Sequence, residues 1–510
     1  MSIMRGAAIG ALLVVSAGTA AGQLRVVAWN ISFYSGGREA DFKTAVYGEF
    51  SGRSMSPDIL MVQEVTSLAG ASTLLTYLNN APGSPGDWSR FTFVDGPDTD
   101  NAVYFRTSKI MPVNPPGAGD PDGYPDPILV VPGGNPSGAP RNVHRFDVQL
   151  VGYSAPSTVI SLYPVHFKSG SASSDQSRRL DEATKIRANM SALPAGWNFL
   201  IGGDFNIQSS TQAAYQALVG GADAGRLFDP ISTPGSWNNS DSFRFVHTQD
   251  PVGAGGMDDR HDQILISAGL VDGSDFEYIG TYGVPYSTTT WNDPNHSYRC
   301  WGNDGSSFNA ALTIAGNQMV GPAVAQALVN MCAGAGHLPV LLDARVPAKV
   351  TSEASLDFGE AFVGDPAVGR QLNVSNAGDV LVWTSAGIAN LSYSLSATGG
   401  FTAPAGNFLD AAGGGGNSHT ITLGTAEPGE YSGVITIASN DPDQPSRTVA
   451  VSGVIFCKAD FDRTGFVDLE DFDAFVAAFE EGSDEADFDG SGFVDLEDFD
   501  AFVLQFESGC

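Results

Sequence analysis

Cysteine and positive charge are both scarce in this chain, and long apolar runs are nearly absent. Lys and Arg total 25 against 57 Asp and Glu, a formal net charge of −32. That balance argues against a protein that grips nucleic acid mainly by broad counterion release, which needs many cations facing the phosphates. After residue 22 no stretch is long or apolar enough to cross a bilayer as a helix. The start is different. Arg5 precedes a short apolar stretch over residues 7–21 that ends in small residues before Gln23. This pattern predicts a secretory signal peptide over residues 1–22 and a secreted or cell-surface protein. Only four Cys occur in 510 residues. An even number in an exported chain favours disulfides over metal binding. Of the three possible pairings, Cys300–Cys332 with Cys457–Cys510 is the most economical, since each pair then closes within one proposed domain.

The acidity is uneven. Residues 23–345 carry 19 Lys and Arg against 30 Asp and Glu, whereas residues 457–510 carry 2 against 17. Nearly half of the net charge therefore sits in the last tenth of the chain and says little about a substrate bound elsewhere. Between Arg141 and Arg187, seven basic residues face four acidic ones. A basic rim and a merely solvated basic face are equal readings of that stretch.

Polar residues of one chemical kind recur at the ends of short apolar runs through the first two thirds of the chain. Val26-Val27-Ala28 leads to Trp29-Asn30, and Ile59-Leu60-Met61-Val62 leads to Gln63-Glu64. His166-Phe167-Lys168-Ser169 comes next. Phe199-Leu200-Ile201 leads to Gly203-Asp204-Phe205-Asn206. Asp258-Asp259-Arg260-His261-Asp262 precedes Ile264-Leu265-Ile266, and Gly336-His337-Leu338-Pro339-Val340 closes the series. Such runs read as strands buried on both faces. Carboxylates, amides and imidazoles at strand ends suit a site on a rigid scaffold. Asn30, Glu64, Asp204 and Asn206 offer the oxygen ligands a hard divalent cation wants, and the two histidines move protons near neutral pH.

At these residues, over roughly 23–345, the chain resembles the endonuclease/exonuclease/phosphatase superfamily. The resemblance implies an α/β sandwich, two mixed β-sheets flanked by helices. It implies Mg²⁺ or Mn²⁺ held by Asn30 and Glu64, with Asp204 beside the metal. Asp204 and Asn206 would orient the nucleophile and the phosphate. Asp262 and His337 would form a carboxylate–imidazole pair. His166 matches the second histidine of the deoxyribonuclease I and sphingomyelinase branches, and Arg141 matches a phosphate-contacting arginine, with Arg145 its alternate. Asn101 and Tyr104 fall in the family's mid-domain strand, and Asp100 is a candidate to orient His166. One departure stands out: the family usually carries Asp before the last His, and here the residue is Gly336. Asp258 or Asp259 is the candidate substitute for that carboxylate.

From 352 to 455 the pattern changes to short alternating segments separated by Gly, Asn, Asp and Pro. Period-two alternation with regular turn signals predicts an antiparallel β-sandwich. Segments such as Leu356-Asp-Phe-Gly-Glu and Ser439-Asn-Asp-Pro-Asp resemble immunoglobulin-like domains of the choice-of-anchor D and ASH type. The last segment, 457–510, is an internal repeat: Ala459-Asp-Phe-Asp-Arg-Thr-Gly-Phe-Val-Asp-Leu-Glu-Asp recurs from Ala486 with two changes. Each copy fits a twelve-residue calcium loop. Asp460, Asp462, Thr464, the Phe466 carbonyl, Asp468 and Asp471 serve the first, and Asp487, Asp489, Ser491, the Phe493 carbonyl, Asp495 and Asp498 the second. The pair looks like a dockerin-type EF-hand module, which implies bound Ca²⁺ and a cohesin-like or cell-surface protein partner.

These readings predict a secreted metal-dependent phosphoesterase, first of all an extracellular nuclease acting on nucleic acid. A lipid or small-molecule phosphodiesterase or phosphatase is the alternative among enzymes. A cell-surface binding protein with a degenerate site, signalled by Gly336, is the alternative outside them.

Overall fold

The structure is a computed structural model that describes residues 23–117, 121–253, 255–273 and 276–509. The chain divides into two compact units. The first runs to Val346 and takes in Leu381–Gly387, while the second comprises Pro347–Val380 and the chain from Ile388 onward.

In the first unit the apolar runs form two mixed sheets. One is ordered Glu277–Tyr278, Val340–Arg345, Leu24–Tyr34, Ile59–Val65, Asp100–Arg106, Trp88–Arg90, with Arg299–Cys300 also on Val340–Arg345. The other is ordered Leu227–Phe228, Asp262–Ser267, Asn198–Asp204, Val159–His166, Val143–Leu150, Ile110–Pro112, with Ile128–Val131 on Val143–Leu150. Each sheet has a parallel pair at its centre, Leu24–Tyr34 with Ile59–Val65 and Val159–His166 with Asn198–Asp204. Every residue of Ile59–Val65, Val159–His166 and Asn198–Asp204 is buried, as strands covered on both faces must be.

Strand alternation sorts the side chains into layers. Val27, Trp29, Leu60 and Val62 pack outward on Phe42, Val46, Leu74, Leu78, Val324 and Leu328 from three helices. Tyr163, Val165, Phe199, Ile201 and Leu265 pack outward on Ala183, Ile186, Met190 and Leu218 of two more. Residues of the opposite parity lie between the sheets. A Cβ on Gly202 would stand 2.6 Å from Met61 Cε and 3.2 Å from Ala28 Cβ, and one on Gly203 would stand 2.9 Å from the Gln63 carboxamide carbon. These two glycines let the sheets approach just before Asp204. The result is helices, sheet, sheet, helices, the α/β sandwich that the resemblance implied.

In the second unit, two sheets share one apolar core. The first holds Val350–Ser352, Val368–Asn376, Asn417–Leu423 and Phe401–Thr402. The second holds Ser355–Phe362, Ser446–Phe456, Gly429–Ser439, Leu391–Ala397 and Asn407–Asp410. The sandwich is not wholly antiparallel: Ser355–Phe362 pairs in parallel with Ser446–Phe456. After Ser355–Phe362 the chain crosses to the other sheet, so this edge strand joins the last strand running the same way.

The repeat follows in the same unit. Asp468 and Asp495 cap helices Leu469–Glu481 and Leu496–Ser508, each in a reciprocal capping box with Asp471 or Asp498. The buried rings of Phe475 and Phe502 stack 4.0 Å apart between the helices. In each loop the first, third and twelfth positions converge. Carboxylate oxygens of Asp460, Asp462 and Asp471 lie within 4.8 Å of one another, and so do those of Asp487, Asp489 and Asp498.

The expected Cys300–Cys332 disulfide is absent, and both are free thiols. Cys300 is fixed in the sheet opposite Val340, whereas Cys332 ends helix Gly321–Met331 and turns its sulfur to the Leu328 carbonyl. The expected partner of Cys457, Cys510, lies outside the described residues, as does the signal peptide over residues 1–22. Among the described residues no helix is long and apolar enough to cross a membrane.

Candidate active site

Strand register builds one row of the site. His166 pairs with Asp204, and Asp204 pairs with Asp262, so three functional side chains stand side by side at the edge of the second sheet. Asn30 pairs with Gln63 in the first sheet, and Glu64 follows at once. The close approach at Gly202 and Gly203 brings the two edges together. The Asn30 amide bridges them, donating to Glu64 Oε1 at 2.9 Å and to Asp204 Oδ2 at 3.3 Å. Its oxygen takes the Ser32 N–H at 3.1 Å. Asn30 therefore braces the carboxylates through its amide nitrogen, with its oxygen anchored on the Ser32 backbone.

Both histidines converge on the same carboxylate oxygen. His166 Nε2 lies 3.4 Å and His337 Nε2 3.6 Å from Asp204 Oδ2. His337 Nδ1 is held by Asp262 Oδ2 at 2.8 Å, which leaves Nε2 as the nitrogen presented to the site. Asp262 Oδ2 also accepts from Thr248 Oγ1 at 2.7 Å. His166 Nδ1 stands 3.7 Å from Glu64 Oε1. Asn206 donates its backbone N–H to Asp204 Oδ1 and its side-chain amide to the Phe167 carbonyl. Glu64 and Asn206 both adopt positive φ, 63° and 51°, a backbone that costs non-glycine residues and recurs at functional sites.

The environments push the two imidazoles apart. Burial, aided by the Arg141 and His337 charges, holds His166 well below the ordinary histidine range. Burial also opposes charge on His337, but the carboxylates of Asp262, Asp204 and Glu64 outweigh it and raise the group to about 10. Burial raises Asp204, against the nearby His337 charge. Glu64 and Asp204 fit a hard divalent cation, since both are buried and supply anionic oxygens, while the Asn30 oxygen is held by the Ser32 N–H and would join them only if its amide turned over.

Arg141 reaches the back of His166, donating to its carbonyl at 3.5 Å and to Thr99 Oγ1 at 3.1 Å, with Asp98 Oδ2 3.2 Å away. Other expected contributors lie elsewhere. Arg145 is tied to Asp147 and Asn189 beneath the second sheet. Tyr104 is fully buried and donates to the Ala71 carbonyl, a core role, because its strand position points outward to the helices. Asp100 accepts from the Gly96 N–H and does not orient His166. Asn101 bridges the sheets, donating to the Pro164 carbonyl at 3.2 Å. Asp259 accepts from Asn238 and faces His261 Nε2 at 3.6 Å. The seven basic residues between Arg141 and Arg187 are all engaged within the chain, Lys168 with Asp175, Lys185 with Asp181 and Arg187 with Asp223, while Arg178 and Arg179 bond backbone carbonyls. No unpaired basic rim results.

Gly336 has φ +77°, and a Cβ there would stand 2.2 Å from Cys332 Sγ. The sulfur fills the space into which an aspartate would project. Thr248, Gln249 and Asp250 belong to the site without having been legible as motifs. Gln249 Nε2 lies 3.3 Å from His337 Nε2. The Asp250 carboxyl interacts with the His337 and His261 charges, and burial lifts it to about 6. Their only sequence signal is a short polar run after His247.

Several solved structures are similar to the chain at low identity. The chain is similar to zebrafish (D. rerio) TDP2 complexed with single strand DNA product, with 12% identity, 64% of this chain and 99% of that chain covered, and a TM-score of 0.38. It is similar to an endonuclease/exonuclease/phosphatase family protein from Bacteroides thetaiotaomicron, with 16% identity, 63% and 94% covered, and a TM-score of 0.35. The human Nocturnin catalytic domain with bound sulfate anion is similar at 15% identity, 63% and 94% covered, and a TM-score of 0.33. No curated protein matches the sequence. Residues 27–293, more than half of the chain, match the Endonuclease/Exonuclease/phosphatase family, and the chain belongs to that family.

Proposed function

We propose that this protein is a secreted, metal-dependent phosphodiesterase whose substrate is nucleic acid. Members of its family are metal-dependent phosphoesterases. The observation that carries the reading is the convergence of His166, His337 and Asn30 on the one Asp204 carboxylate, with Glu64 alongside. Glu64 and Asp204, joined by Asn30 once its amide turns over, would hold Mg²⁺ or Mn²⁺, which when bound stabilises charge growing on phosphoryl oxygens. Asp204 and Asn206 orient the attacking water. As its oxygen bonds to phosphorus, the bond to the leaving oxygen breaks. The water's proton passes to one imidazole and the leaving oxygen takes a proton from the other. Asp262 and Thr248 fix His337 for that transfer, and Arg141 steadies His166 and the phosphate side of the site.

In the second unit we assign Ca²⁺ to the two acidic loops and protein binding to the repeat. Asp471 and Asp498 tie each loop by accepting the backbone N–H groups of Asp462 and Asp489. Phe466, Leu469, Phe493 and Leu496 stand exposed in two matching pairs. Duplicated apolar residues of that kind favour a partner such as a cohesin-like or cell-surface protein. One assay tests the catalytic reading. The purified protein is offered DNA, RNA, sphingomyelin and a generic phosphodiester, with and without Mg²⁺. Cleavage of sphingomyelin alone favours the lipid alternative, and cleavage of none favours a degenerate site.

A further inference from the structure

We infer that Phe33 is a stacking platform for a flat heteroaromatic ring attached to the scissile phosphate, so that the site takes short or single-stranded nucleotide substrates. The inference rests on the phosphodiesterase reading of the same site. Phe33 is 62% exposed, yet its backbone N–H donates to Glu64 Oε2 at 2.9 Å. A large ring therefore stands in water one residue's reach from the proposed metal-binding carboxylate. The backbone holds it there at a cost. Ser32 and Phe33 take consecutive positive φ values of 54° and 46°, a conformation bulky L-residues rarely adopt.

The loop is braced from both sides. Ser32 N–H bonds Asn30 Oδ1, and Arg38 donates to the Ser32 and Met331 carbonyls. Arg38 also lies over the Tyr34 ring, 5.1 Å from its centroid. Pre-organisation of this kind lowers the entropy lost when a ligand ring settles on the aromatic face. The turn aims its two backbone N–H groups at Asn30 Oδ1 and Glu64 Oε2, and so fixes the exposed ring beside the site. A ring held there offers its face to a ligand with a π-face. The neighbouring charge narrows the ligand further. The basic stretch from Arg141 to Arg187 is internally engaged and the first unit is net acidic, so little holds a long phosphate backbone. Stacking beside the scissile phosphate supplies binding that a basic groove would otherwise give.

The test compares the full chain with Phe33→Ala, Phe33→Tyr and Phe33→Trp on three substrates in Mg²⁺: a dinucleotide, the same dinucleotide with both bases removed, and sphingomyelin vesicles. Phe33→Ala keeps the backbone N–H to Glu64. It is expected to raise KM for the dinucleotide roughly 10-fold, about 1.4 kcal/mol, to leave kcat within about twofold, and to leave the abasic substrate unchanged. Phe33→Tyr and Phe33→Trp are expected to restore KM. Equal effects on intact and abasic substrates, or no effect on either, overturn the inference. A loss confined to vesicles overturns it in favour of lipid contact. A wild-type protein that cleaves DNA or RNA but not the dinucleotide, or an active wild type with an indifferent Phe33→Ala, sinks this inference alone, whereas a wild type inactive on DNA, RNA and all three substrates sinks the underlying phosphodiesterase reading.

Discussion

Gly336→Asp restores the residue type the family usually carries before its last histidine, and it is expected to damage the protein rather than tighten its metal site. The new Cβ would meet Cys332 Sγ at 2.2 Å and Cys332 Cβ at 2.3 Å, too close for either to stay. The backbone is at φ +77°, where a residue with a side chain costs about 1–2 kcal/mol. Overpacking a filled site adds about 1–3 kcal/mol. Together these give a loss of roughly 2–5 kcal/mol, which at about 2–4 °C per kcal/mol lowers Tm on the order of 4–20 °C. The assay is thermal unfolding of the full chain in chelator, followed by tryptophan fluorescence. All seven tryptophans lie in the first unit, so the signal reports that unit alone. Gly336→Ala should lose nearly as much, since the clash begins at Cβ. Adding Cys332→Gly to Gly336→Asp removes both clashing atoms and should recover the overpacking share but not the backbone share. An unchanged Tm in Gly336→Asp, or a lower Mg²⁺ requirement at full stability, would refute the reasoning.

His337→Ala, His166→Ala and Asp204→Ala are each expected to lower turnover at least ~10²-fold with Tm within a few degrees, read by initial rates on the best substrate. Asp262→Asn should keep the fold and lose most activity, because an amide cannot support a charged imidazole. His247 is buried with Nε2 on the Trp237 carbonyl, and burial lowers it to about 4. Its neutral form is therefore favoured in the folded state. The contribution is full above the unfolded value near 6.5 and is lost as pH falls from there through about 4, up to about 3 kcal/mol. His247→Gln should flatten that acid limb in denaturant titrations read by tryptophan fluorescence. Calorimetric titration of the chain with Ca²⁺, with the catalytic site already saturated by Mg²⁺, should give two sites, falling to one in Asp498→Ala. An unchanged stoichiometry would move the calcium elsewhere.

Strand ends were legible because burial on both faces forces continuous apolar runs, and the polar residue that ends such a run marks the sheet edge. That is why Asn30, Glu64, Asp204 and Asp262 could be read as one group. Side-chain direction was not legible. Tyr104, Asp100 and Arg145 sit in the right segments but point to the helices, to a turn and beneath the sheet. Thr248 and Gln249 lie on an irregular segment with no period to read, and register with Asp259 brings them to His337. The Cys300–Cys332 pairing failed for a related reason: proximity in sequence says nothing about which way a helix end turns its sulfur. In the repeat, local rules sufficed. The twelve-residue spacing read from the repeat lies within one loop and one helix start, where the first, third and twelfth carboxylates converge.

The central claim is that Glu64, Asp204, His166 and His337 form one metal-dependent phosphodiester-cleaving site. The most direct measurement is the rate of phosphodiester hydrolysis by the full chain in excess EDTA and after return of Mg²⁺ or Mn²⁺, beside His337→Ala. The account predicts a rate abolished by chelator, restored by metal, and absent from the variant under both conditions. Full activity in EDTA, or wild-type rates from His337→Ala, would contradict it.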